Sequence, residues 1–160
     1  MSKAFTLIMT VLVFSFLMAG CNTPDPELTK FKNDVNNFCD RISELDTSMN
    51  QIDAASDTAS AQLLEYLDEV DMRFKAFAEL DFPSSYDYLE SLADEASRYM
   101  TEAVDYYHQS FSNGSYNEYT AEYAQENYSR AVKRIQIIIT CLHGETPTDA
   151  DISISYDDEK

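Results

Sequence analysis

Residues 25–52 read DPELTKFKNDVNNFCDRISELDTSMNQI, with large apolar side chains at Leu28, Phe31, Val35, Phe38, Ile42, Leu45, Met49 and Ile52. The steps between them are 3, 4, 3, 4, 3, 4 and 3, an unbroken heptad stripe. On a helix this spacing gathers every one of these side chains on a single face. A strand, with its period of two, would scatter them over both faces. Asp25 followed by Pro26 supplies an N-cap and a first-turn residue that needs no N–H partner. The pattern predicts a helix over residues 26–53.

Working outward, Asp53 to Ser60 has no large apolar residue, and a turn near 53–57 is expected. The competing arrangement is one continuous helix, since alanine and serine break helices only weakly. Running to Leu80, it would be about 80 Å long at 1.5 Å per residue and would leave its apolar stripe half covered. Leu63, Leu67, Val70, Phe74, Phe77 and Leu80 form a second helical face, stopped by Phe82-Pro83. Ser84 is the expected cap of a third helix, with a face from Leu89 through Leu92, Ala96, Met100 and Ala103 to Phe111 and an end at Asn113-Gly114. Ser115-Tyr116-Asn117-Glu118 matches a capping box. The helix it opens carries Ala124, Tyr128, Ala131, Ile135, Ile138 and Leu142 and stops at His143-Gly144. The expected fold is all-α: an up-down-up-down four-helix bundle over residues 26–144 with a heptad-patterned core and helices over 26–53, 57–82, 84–112 and 115–143. Residues 145–160 read as a disordered acidic tail.

The N-terminal region is of another kind. Lys3 precedes an apolar run from Ala4 to Met18, shorter than the roughly 20 residues of a comfortable membrane span. It ends in Leu17-Met18-Ala19-Gly20-Cys21, which resembles the lipobox of bacterial lipoproteins, with Met18 where leucine is more usual. The resemblance implies a signal peptide over residues 1–20, cleaved after Gly20. It also implies a Cys21 that carries diacylglycerol and fatty acyl chains such as palmitate, and a membrane anchor that leaves the protein on the extracytoplasmic side. Residues 21–25 would then be a tether of at most about 14 Å. The remainder resembles other small acidic helical lipoproteins in general character only, a likeness that carries no motif.

Charge narrows the function classes. The 160 residues hold 29 Asp and Glu against 11 Lys and Arg, a formal charge of −18, which argues against nucleic acid as a partner. Three glycines are too few for phosphate-cradling loops or a chain of hairpins. Sorted by height along the expected bundle, the membrane-proximal half carries eight basic and ten acidic side chains. The distal half carries Arg41 alone against thirteen acidic ones. Such a molecule would be nearly neutral beside anionic lipid and acidic where it faces outward.

Reactive chemistry is sparse. Asp105 and His108 stand at i, i+3, but a di-metal bundle needs a second such pair and two more carboxylates. Asp149-Ala150-Asp151 begins like a calcium loop and lacks its glycine. Glu118, Glu122 and Glu126 make an i, i+4 acidic row, read as a solvated face. Cys39 and Cys141 lie at different heights and read as two separate thiols. No catalytic residue, metal site or cofactor is expected, and the chain does not read as an enzyme.

Nine of the eleven tyrosines fall between Tyr86 and Tyr128, too many for the core to hold. Tyr106, Tyr116, Tyr119 and Tyr123, with Glu118 and Glu122, form the expected partner surface, because tyrosine is large, rigid and amphipathic. The expected function is that of an interaction or accessory subunit at the bacterial envelope, held to the membrane through Cys21 and bound to an unidentified envelope protein. The alternative is a lipoprotein that binds a small molecule, glycan or cation.

Overall fold

The computed structural model describes residues 25–112 and 116–147. The lipobox, the Asn113-Gly114 pair, Ser115 and the acidic segment from residue 148 lie outside the described residues. Among the described residues are four α-helices and no strand: α1 (Pro26–Asn50), α2 (Ala59–Ala78), α3 (Glu90–Phe111) and α4 (Glu118–Leu142), with a 3-10 turn at Asp87–Leu89. They make a helical bundle.

Asp25 caps α1 as expected, its carboxylate accepting the Glu27 N–H at 3.0 Å. Phe31, Val35, Phe38, Leu45 and Met49 are buried, while Leu28, Ile42 and Ile52 are only half-buried. The helix ends before residue 53. Asp53 then folds the chain back by accepting the Ala55 N–H on its side chain (3.0 Å) and the Ser56 N–H on its carbonyl (2.9 Å). α1 and α2 are therefore two helices, and the continuous one is excluded.

Three boundaries differ from expectation for identifiable reasons. Instead of running to residue 82, α2 stops at Ala78, and α3 starts at Glu90 rather than at 84. Proline restricts the residue before it to extended backbone, so Phe82 leaves the helix path. Its ring is buried 4.6 Å from that of Phe31 and 6.2 Å from that of Phe77. Residues 79–89 are thus a packed connection, with Leu89 fully buried, and Ser84 caps nothing. At the start of α4 the cap is Asn117, whose side chain accepts the Thr120 N–H at 3.2 Å, in place of the expected Ser115. The far end of α4 closes at Gly144, at φ 76°, with the Glu145 N–H returning to the Thr140 carbonyl at 3.1 Å.

α3 packs on both α2 and α4, most closely on α4, and α1 lies on α2. Ala93, Ala96 and Ala103 of α3 and Ala124 and Ala131 of α4 are fully or almost fully buried, and small side chains let two backbones approach. Across α1 and α2, the Phe38 ring meets Phe74 at 5.2 Å and Phe77 at 4.5 Å, and Arg41 Nε donates to Glu69 at 3.0 Å. Across α2 and α3, Thr101 donates to Asp71 at 2.6 Å, and His108 Nε2 lies 2.7 Å from Asp68 Oδ1. Across α3 and α4, Arg134 Nε donates to Glu95 at 2.8 Å.

Candidate functional site

The end of α3 and the first turns of α4 carry the unusual surface. Among the described residues only four large apolar side chains are exposed: Met72 (60 %) on α2, and Tyr116 (52 %), Tyr119 (79 %) and Tyr123 (60 %). The helical period explains the last two. Ala121, Ala124 and Tyr128 take the inward positions of α4, so Tyr119 and Tyr123, four apart, share the outward face with exposed Glu118 and Glu122.

Of the expected residues, the structure pairs the rings of Tyr106 and Tyr123, while Tyr116 meets Phe111, a residue of the expected core face of α3. The Tyr106 ring, half-buried on α3, lies 6.0 Å from that of Tyr123, and the Tyr116 ring lies 5.3 Å from that of Phe111. Partial burial raises the Tyr116 phenol above its ordinary pKa, and the charges of Glu118 and Glu122 push it the same way. The acidic side chains standing in this surface are those of exposed Glu118 and Glu122.

Sequence reasoning missed three polar residues of the interior: Asp46, Ser110 and Asn127 are each buried. A signal for Asp46 existed, since Ile42 four residues before it and Met49 three after it place it on the apolar face of α1. Burial raises the Asp46 carboxyl, and a hydrogen bond from Asn50 (3.2 Å) offsets part of that rise. The neighbouring Tyr128 phenol is raised by its own burial, then by the charges of Asp46 and Tyr107, and Tyr107 is pushed up to about 12, chiefly by burial.

A raised carboxyl binds its proton more tightly in the folded chain than in the unfolded one, so stability falls as pH rises through the interval between the two values. Above that interval the buried charge is a standing cost. Asp46→Asn is expected to raise the urea midpoint over that of the native protein at about pH 7, and the two midpoints should converge at about pH 2.5, below the ordinary aspartate range, where Asp46 is protonated in the folded and the unfolded chain alike. A gain of equal size at both pH values would show that the buried charge is not the cause.

Farther along α3 and α4 stands a contrasting cluster. The Tyr99 ring is met by the guanidinium groups of Arg98 (4.3 Å), Arg134 (4.6 Å) and Arg130 (5.7 Å). Each arginine is also held by a carboxylate, Arg134 by Glu95, Arg98 by Glu102 and Arg130 by Glu126.

The other candidates find ordinary partners. His108 faces Asp68 of α2 rather than Asp105. Glu126 of the acidic row pairs with Arg130, and among the described residues no group of three or more His, Cys, Asp or Glu is placed to hold a metal ion. Cys39 and Cys141 are free thiols. Burial, aided by the charge of Asp40, pushes Cys39 up to about 11. Burial also raises Cys141, partly offset by a hydrogen bond with Tyr88. Raised thiols of this kind are poor nucleophiles at neutral pH.

No helix among the described residues is long and apolar enough to cross a membrane. No family model, no curated protein and no solved structure matches the chain.

Proposed function

We propose that this protein is a lipid-anchored, non-enzymatic helical bundle on the extracytoplasmic face of a bacterial membrane, acting as an interaction or accessory subunit through the tyrosine surface of α3 and α4. One observation carries the contact surface: of the four exposed large apolar side chains among the described residues, three fall within eight positions at and just before the start of α4, and one of them, Tyr123, pairs with the Tyr106 ring of α3. A monomer has no reason of stability to gather them there, and partner-binding surfaces are built this way.

Cross-helix pairs run 31 with 82, 38 with 77 and 41 with 69, then 71 with 101 and 68 with 108, then 95 with 134 and 106 with 123. In every set one number rises as the other falls, which supports an up-down-up-down bundle whose α2–α3 connection shares an end with Asp25. If Cys21 is lipidated, that end sits at the bilayer. The tyrosine surface then lies at the outward, acidic end, in reach of other envelope proteins.

A photo-crosslinking residue placed at position 119 is expected to capture one dominant envelope protein. The same residue at exposed position 76 of α2 should not capture it. Tyr119→Ala combined with Tyr123→Ala should reduce recovery of that protein by about tenfold, which corresponds to the loss of two exposed aromatic contacts, without lowering the thermal midpoint. Equal capture from both positions, or recovery unchanged in the double variant, would remove these tyrosines from the contact. Capture of nothing would favour the ligand-binding alternative.

A further inference from the structure

We infer that the partner presents arginine side chains to the tyrosine–glutamate surface, so that the occupant is a basic protein segment. This rests on the contact surface proposed above and adds its chemistry. A tyrosine face is the negative end of a quadrupole, and exposed Glu118 and Glu122 flank Tyr119 and Tyr123 on the same helix. Both features attract cations, and a planar guanidinium satisfies both at once by stacking on the ring and donating to a carboxylate.

The chain has already built the complete form of this arrangement. At Tyr99 three guanidinium groups stand 4.3, 4.6 and 5.7 Å from one ring, each tied to a glutamate of α3 or α4. The distal surface repeats the tyrosines and glutamates without the arginines. Arg41 is the only lysine or arginine in that half of the bundle and is spent on Glu44 and Glu69, while His108 is held against Asp68. The cation must therefore come from another molecule. An anionic lipid surface or a nucleic acid would be repelled by the same carboxylates. A purely apolar partner would have to strip water from Glu118 and Glu122 with nothing to replace it.

The test uses the mature, lipidated full chain in detergent micelles at physiological ionic strength, titrated with three eight-residue peptides that alternate glycine with arginine, lysine or glutamate. The arginine peptide is expected to bind more tightly than the lysine peptide, and the glutamate peptide not at all. Tyr119→Ala with Tyr123→Ala, which leaves the net charge intact, should weaken arginine-peptide binding by about tenfold. Glu118→Gln with Glu122→Gln should weaken it similarly, while Asp57→Asn with Glu65→Gln, an equal loss of charge elsewhere, should change it by less than about twofold. Binding insensitive to the tyrosine pair, or equally sensitive to both charge-loss pairs, would overturn the inference in favour of diffuse attraction. If position 119 crosslinks to a protein whose captured segment contains no arginine, the contact surface stands and the arginine chemistry fails.

Discussion

Phe77→Ala is expected to lower the unfolding free energy by about 3–5 kcal/mol, the range for removing a fully buried aromatic ring. Phe77 is 2 % exposed and sits where three segments meet, 4.5 Å from the Phe38 ring of α1 and 6.2 Å from the Phe82 ring of the α2–α3 connection. Removing it leaves a cavity that Phe38 and Phe82 cannot both fill, because each is already held by a second ring, Phe74 and Phe31 respectively. Urea unfolding followed by helix circular dichroism measures the loss. A change below about 1 kcal/mol would mean that α1 and the connection do not depend on this ring.

The second large effect is steric. α3 and α4 are the most closely packed pair, and Ala131 is completely buried in α4. Ala131→Leu adds three carbon atoms where there is no room, and the helices must separate or the side chain must leave its rotamer, at a cost of about 1–3 kcal/mol. Leucine at exposed Ala76 of α2 is the control and should stay within about 0.5 kcal/mol of the native protein. If both variants unfold alike, the close approach of α3 and α4 does not depend on their alanines.

How far the fold was legible depended on whether a feature was local. The helical character of all four segments and the Asp25 cap follow from spacing and neighbours within one helical turn. So does the Gly144 stop. The α2–α3 connection was not legible, because Phe82 leaves the helix to reach Phe31, a residue 51 positions earlier that no local pattern links to it. The cap of α4 was misread by two residues, since Ser115 and Asn117 are both good caps and only the path of the chain chooses between them. Among the tyrosines, the excess over core capacity was readable. That Tyr116, Tyr119 and Tyr123 are the exposed ones among the described tyrosines, and that Tyr99 is met by three arginines, depends on how α3 and α4 pair. The burial of Asp46 is not legible from its neighbours alone, because a carboxylate beside an apolar stripe is usually solvated, whereas here it is 7 % exposed.

The most direct test of the proposed anchoring and contact is in-cell crosslinking with affinity recovery and mass spectrometry, run in parallel on the native protein and on Cys21→Ala. The expected result is a lipid-modified Cys21 at the mature N-terminus and one dominant envelope protein recovered with the native form but not with Cys21→Ala. An unmodified Cys21, or no enriched protein from either form, would contradict it.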